Sequence, residues 1–287
     1  MTKLYTDTSA NLPLALLREY DIAVIPFSYT VNGVAEDYNE ETDFDGKAFY
    51  DAMRRGAEVK TSMVNPATAA AFFERALAQG DDVLYVGMSG GISGTAHAAA
   101  LAAEELREKY PHAKIMTIDT YAASLGEGLL VIEAAERIAA GMPAAQIAEE
   151  VQALTSHSQA SFIIDTLEFL YKGGRCSALA MLGANMLQLK PCIEVDNSSG
   201  AMNVGKKYRG SLEKALSQYV KDKLEGRTDI RSDRIFITHS GISQERIDLV
   251  KKLVKQYGDF KEIFVTRAGC TISSHCGPNT LGVLFMT

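Results

Sequence analysis

The segment Asp82–Tyr110, DVLYVGMSGGISGTAHAAALAAEELREKY, sets an apolar run against a Gly/Ser-rich turn and then an alanine-rich helical stretch. Three chemistries fit that junction. Gly87-Met88-Ser89-Gly90-Gly91 has the G-x-S-x-G order of a nucleophile elbow. The same glycines offer backbone N–H groups for a phosphate at a helix N-terminus. Ser93-Gly94-Thr95 offers a hydroxyl beside that N-terminus, a fitting partner for a carboxylate. A purely structural role fits equally well, with Ser93 capping the helix and the glycines tightening the turn.

Other motifs narrow the choice. A serine hydrolase of the α/β type with Ser89 as nucleophile is the alternative, but no HGGG-type segment precedes Ser89, and the first histidine is His97. Asp119 also comes on the very next strand, earlier than the acid of such enzymes. There is no G-x-G-x-x-G after the first apolar run and no P-loop. C-x-x-C and H-E-x-x-H are absent, and Cys270, His275 and Cys276 read as a buried thiol pair beside a loop histidine, not as a metal site. Further polar groups (Asp7, Thr8, Thr61, Ser62, Asp119, Thr120, Ser124) close successive elements, where a parallel α/β sheet binds ligands.

Elements alternate in a way that positions these groups. "KLYT", "IAVIPFSYTV", "VLYVGM" and "KIMTID" read as strands, with a turn at Asn32-Gly33. Between them, "LPLALLREY" reads as a helix behind a Ser9 or Asn11 cap, and "FDGKAFYDAM", "PATAAAFFERALAQG" and "GEGLLVIEAAERIAAG" read as further helices. The second half places "ASFIID", "RIFITHS", "EIFVTRA" and "LGVLFMT" as strands, and "KPCIEVDNSSGAMNVGKKYRG" as a hairpin turning at Asn197–Gly200. "LEFLYKGG", "SALAMLGANMLQL", "SLEKALSQYVKDKLEG" and "SQERIDLVKKLVKQYG" read as helices. The expected class is α/β in two domains. The first is a three-layer, mostly parallel, Rossmann-like sheet, and the second an α/β domain with a mixed sheet, changing near Ser156.

Composition bounds the function. With 287 residues, 47% hydrophobic and 23% charged, the chain can bury a large core. A net charge of −7 without a basic run argues against nucleic acid. No run is apolar enough to span a bilayer, and the start lacks a signal-peptide h-region, so a cytoplasmic protein without an integral membrane segment is expected. The four cysteines fit free thiols better than a disulfide framework.

The sequence resembles the DegV family of bacterial fatty-acid-binding proteins. The resemblance rests on "YTDTSANLP", "KTSMVNPAT", "SGGISGTAHAA", "IDTYAASLGEG", "FLYKGGR", "LQLKPCIEVDNSSG", "GKKYRG" and "SSHCGPNTLGVLF", in that order along nearly the whole chain. "TSMVNP" departs from the more usual "TSQPSP", and Asn279 stands where glycine is common. The resemblance implies an N-terminal α/β domain (residues 1–155) carrying carboxylate-binding loops and a C-terminal domain (156–287) closing a lipid cleft. It implies a long-chain fatty acid whose carboxylate is held by Thr61, with Ser62 beside it, by Ser93 and the Gly94 N–H, and by His275. No cofactor is implied. It further implies presentation of the lipid to a separate fatty acid kinase that makes the acyl phosphate, with Arg175 and Arg209 serving the headgroup or that partner. Burying an acyl chain yields ~0.8 kcal/mol per CH₂, on the order of 10 kcal/mol gross, so a carboxylate clamp and an apolar tunnel suffice. The leucines and methionines of "ALAMLGANMLQL" are the expected tunnel lining.

Overall fold

A computed structural model describes residues 1–36, 46–177 and 189–287. β1 (Thr2–Asp7) pairs in parallel with β2 (Ala23–Ile25) and with β6 (Asp82–Gly87), which pairs with β7 (Ile115–Asp119), giving the all-parallel order β2-β1-β6-β7. Val83, Leu84, Tyr85 and Val86 of β6 are fully buried, as a strand covered on both faces requires. α3 (Pro66–Leu77) and α4 (Thr95–Lys109) cover one face, where Phe73, Ala99 and Ala102 meet Tyr5 and Tyr85. α5 (Leu125–Ala139) and α6 (Ala144–Leu154) cover the other. The short α1 (Leu14–Glu19) links β1 to β2.

The second half builds a six-stranded mixed sheet in the order β10-β9-β8-β13-β11-β12. Its strands are β8 (Ser158–Ile163), β9 (Leu189–Val195), β10 (Met202–Arg209), β11 (Arg234–Ser240), β12 (Glu262–Arg267) and β13 (Thr280–Met286). Only the β11–β12 pair is parallel. α8 (Leu212–Leu224) and α9 (Gln244–Tyr257) pack on the outer face. The inner face meets α5, so every residue from Leu125 to Ala135 is buried. A helix apolar around its whole circumference is a helix packed on all sides. Burial of Leu129, Leu130 and Ile132 contributes about 1.5–3 kcal/mol each. Glu133, in the same helix, is matched by Arg137 and Arg231 at 2.8 and 2.7 Å.

A small antiparallel sheet, β4-β3-β5, is formed by β3 (Ser28–Val31), β4 (Val34–Glu36) and β5 (Val59–Ser62). With α2 (Gly46–Arg54) it packs towards α10 (Cys270–Cys276), through Tyr29, Phe49, Tyr50 and Cys270. α7 (Glu168–Gly173) lies nearby, ended by Gly174 in the left-handed region.

Several local expectations are corrected. "IAVIPFSYTV" is two strands of different sheets, broken at Pro26-Phe27 because proline cannot donate to a ladder. α1 starts behind Pro13 with no side-chain cap; the Ser9 hydroxyl is committed to carboxylates, and Asn11 adopts φ 55°. β5, α6 and α10 were not anticipated as elements. The helix expected over "SALAMLGANMLQL", and with it the tunnel lining assigned there, falls almost entirely outside the described residues.

Candidate functional site

Ser93 ends the glycine-rich loop one residue before the N-cap of α4, which is Gly94. Ser93 is therefore not the cap. Its Oγ accepts from the Thr95 N–H at 3.3 Å and lies 2.9 Å from Thr95 Oγ1, a short turn that holds the hydroxyl against the first residue of α4. Thr95 in turn accepts from the Val64 N–H, tying this helix start to the segment after β5. A Cβ at Gly94 would lie 2.7 Å from Met63 Sδ, so a side chain there would require only the exposed methionine to swing aside.

Thr61 enters from the small antiparallel sheet, not from the edge of the parallel one. β5 pairs Thr61 with Tyr29, and Thr61 Oγ1 lies 2.9 Å from His275 Nε2. His275 sits on a helix, α10, where a loop was expected; the residues 271, 272, 275 and 276 share one helical face. Its ring is held close: a Cβ on Gly173 would stand 2.4 Å from Nδ1. Burial, and secondarily the Arg175 charge, lower its pKa to about 4, so the imidazole is neutral at pH 7. Arg175 Nη1 donates to the Gly173 carbonyl at 2.7 Å, which fixes the guanidinium beside the ring.

Thr61, Ser93, Arg175 and His275 line one cavity, floored by Phe27, Met88 and Ile92. Two buried polar atoms there have no hydrogen-bond partner among the described residues: His275 Nδ1 and Thr271 Oγ1. Thr271 is 4% exposed and was not anticipated. A buried hydroxyl without a partner costs about 1–3 kcal/mol, which a ligand oxygen would recover. Met202, Ile272 and Cys276 also line a second, adjoining cavity with a mostly apolar surface, formed with Ala160, Phe162, Gly282 and Leu284 from the inner face of the mixed sheet and with Ser124, Thr238, His239 and Thr280 at its polar spots. On the other side Thr61, Arg175 and His275 border an open cleft with Lys60, Glu168 and Lys172. The arrangement is a polar gate between solvent and an apolar chamber.

Other expected residues lie elsewhere. Ser62 is exposed and lines neither cavity. Arg209 is exposed at the end of β10, paired with Leu189, and lines neither the cavities nor the cleft. Ser89 is fully buried; it donates to the Gly200 carbonyl at 2.8 Å and accepts from Gly91 N–H. Asp119 accepts from the Gly90 and Tyr121 N–H groups. Ser89 thus anchors the β9–β10 hairpin turn to the glycine loop, and among the described residues its hydroxyl bonds only backbone groups, which counts against the nucleophile-elbow reading. Cys276 is buried, with its thiol pushed up to about 12, and among the described residues no group of metal-ligating side chains converges.

A family model described as "Uncharacterised protein, DegV family" matches residues 1–287. The chain belongs to the DegV family. A DegV domain-containing protein of Clostridium perfringens is 32% identical over 284 residues, covering 99% of this chain and 96% of that one. Among solved structures, the chain is similar to a Thermus thermophilus DegV family protein described for its fatty acid binding, with TM-score 0.84, 29% identity and coverage of 100% and 99%. It is also similar to DegV of Bacillus subtilis, described as a fatty acid binding protein, with TM-score 0.79, 25% identity and coverage of 99% and 98%.

Both departures from the usual DegV motifs are absorbed locally. Asn65 caps α3, its Oδ1 accepting from the Thr68 N–H at 2.9 Å ahead of Pro66. Asn279 has φ 63°, the left-handed region where asparagine is the best substitute for glycine, and its amide reaches Asp165 at 3.1 Å. No described helix is long and apolar enough to cross a membrane.

Proposed function

We propose that this DegV family protein binds a long-chain fatty acid, carboxylate at the polar gate and acyl chain in the apolar chamber. The observation that carries the reading is the cavity lined by Thr61, Ser93, Arg175 and His275, which adjoins the apolar one across the shared walls Met202, Ile272 and Cys276. The Thr61, Ser93 and Thr271 hydroxyls and the Gly94 N–H would bind the two carboxylate oxygens, with His275 orienting Thr61. The N-terminal end of α4, a 15-residue helix, adds its dipole. Ser62 has no such contact to offer.

The domain division at residues 155/156 is part of the proposal: the parallel sheet ends by Asp119 and the mixed sheet begins at Ser158, with the chamber against the second and the carboxylate loop from the first. So is the action on the ligand. The carboxylate end faces the open cleft, where a separate fatty acid kinase could bring ATP and metal and form the acyl phosphate. The protein itself then performs no chemistry; Arg175, at the gate, supplies charge to the developing phosphoryl oxygens. Arg209 would act only through the partner. Four buried cysteines without a disulfide among the described residues accord with a reducing cytoplasm.

The test is organic extraction and mass spectrometry of protein purified from bacteria. One long-chain acid per chain is expected, with occupancy lost in Ser93→Ala and Thr61→Val. Well-folded protein carrying none, and taking up none when offered stearate, overturns the reading.

A further inference from the structure

Beneath the glycine loop lies a cluster of acids that the carboxylate site does not use. Asp7, Ser9 and Glu127 are each fully buried. Ser9 Oγ lies 2.5 Å from Asp7 Oδ1 and 2.6 Å from Glu127 Oε2. Asp7 Oδ1 also accepts from the Ser9 N–H, while Oδ2 accepts from Tyr85 Oη at 2.7 Å and from the Met88 N–H at 3.2 Å. Glu127 Oε1 accepts from Thr6 Oγ1 at 3.0 Å.

Proton counting decides what this cluster is. A serine hydroxyl has one hydrogen and cannot donate to two carboxylates at once. One carboxyl must therefore carry a proton and donate it to Ser9. Two ionised carboxylates sharing one buried site would also repel each other strongly. Burial pushes the Asp7 carboxyl pKa up, but Asp7 receives three donors besides the Ser9 hydroxyl, and with it all four of its acceptor positions are filled, which opposes that shift and favours the ionised form. Tyr85 keeps its proton, since burial and then the Asp7 charge push its pKa well up, so it can only donate here. A third described acid that acts on Tyr85, Asp119 on β7, is occupied by two backbone N–H groups.

We infer that Glu127 stands as a neutral carboxylic acid that donates through Ser9 to an ionised Asp7, and that this relay positions the loop carrying Ser93 and Gly94. The link is geometric. Asp7 holds Met88, the first loop residue, which floors the carboxylate cavity, and the Ser93 N–H bonds back to the Ser89 carbonyl within that loop. Glu127 sits in the first turn of α5, directly after Ala123 and Ser124, which line the apolar chamber. The relay therefore ties the glycine loop to the start of α5. Asp7, Ser9 and Glu127 are positioning residues; none lines either cavity.

Infrared difference spectra and stearate binding test this on the full chain. The carboxylic-acid C=O band of the native protein should disappear in Glu127→Gln and survive in Lys206→Gln, a surface control. Glu127→Gln keeps a donor for Ser9 and an acceptor for Thr6, so stearate affinity should stay within about twofold, while Glu127→Leu and Asp7→Asn should each lose about tenfold or more. If Glu127→Leu does not fold, Ser9→Ala, which deletes the relay without adding bulk, should show the same loss. A native spectrum with no such band, or a band removed by Asp7→Asn and untouched by Glu127→Gln, overturns the protonation assignment. Native affinity in Ser9→Ala and Asp7→Asn overturns the positioning role. The affinity arm rests on the proposed fatty acid site, but the infrared arm does not, so failure of one reading is distinguishable from failure of the other.

Discussion

The Nδ1 atom of His275 lies 2.4 Å from the point where a Cβ on Gly173 would stand. Glycine at 173 is therefore a condition for the imidazole to reach Thr61, 2.9 Å away on its other nitrogen. Gly173 ends α7 without a left-handed φ, so alanine suits its backbone and only the ring is in the way. Gly173→Ala should displace His275 and cut fatty acid affinity about tenfold with little loss of stability. Gly174→Ala is the converse: φ 68° strains it by about 1 kcal/mol, but nothing lies within 4 Å of its Cβ, so binding should hold. Ligand titration and urea unfolding of both variants separate the two effects.

Acid should unfold the protein partly through its histidines. His239 and His275 both have pKa values lowered to about 4, by burial first and then by Arg267 and Arg175 respectively. Above the unfolded-state value of about 6.5 both states are neutral and these groups cost nothing. As pH falls from there towards 4, the unfolded chain takes up protons that the fold refuses, and stability drops; below that the loss is complete. For His275 it is on the order of 3 kcal/mol. Urea midpoints at pH 7 and pH 4.5 measure it, and His275→Gln should flatten the dependence. An unchanged slope in that variant would refute the assignment.

The Ser93 loop can be read from sequence because a strand, a glycine turn and a helix start are all local signals, and local geometry aims the hydroxyl. His275 is visible as a residue but not as part of a helix, since "CTISSHC" is short, polar and weak in helix formers; packing under Tyr50 and Phe169 forms α10. Thr271 carries no sequence signal, because an unmet hydroxyl exists only relative to its surroundings. The chamber is hidden for a related reason. Ala160, Phe162, Gly282 and Leu284 share a face only through the antiparallel register of β8 with β13, strands more than a hundred residues apart. Two motifs are weak guides for physical reasons: G-x-S-x-G is equally served by a serine that donates to a carbonyl, and Ser62 faces opposite to Thr61 because side chains alternate along β5.

Ser89 should prove to be a structural tie. Ser89→Ala leaves the Gly200 carbonyl without its donor and should cost roughly 1–3 kcal/mol of stability. No p-nitrophenyl ester turnover should be measurable in either protein, and fatty acid content should persist. Gly200→Ala is harsher, because φ is 69° and the new Cβ would lie 1.9 Å from Ser89 Oγ. It should detach the hairpin turn and lower affinity as well, since Met202, two residues on, lines both cavities. Esterase activity abolished by Ser89→Ala would restore the hydrolase reading.

Phe162 should set the usable length of the acyl chain. It faces the chamber from β8, opposite Gly282 on β13, and the glycine is obligatory there: a Cβ would come within 2.6 Å of the Ser161 carbonyl and 3.0 Å of Phe162 Cβ. The pair therefore presents one large side chain beside none. Phe162→Ala removes the ring where no neighbour can fill the space, so the chamber lengthens or widens and the fold loses about 3 kcal/mol in the empty state. A longer or bent chain would fill the void and regain part of that contact, whereas a short saturated chain would leave it empty. Competition between fatty acids of graded length, read by native mass spectrometry, should shift towards longer species in Phe162→Ala. Thermal stability should recover most with the acids newly preferred. An unchanged preference with full occupancy would mean that the chain runs elsewhere in the protein and that the chamber under the mixed sheet is not its seat.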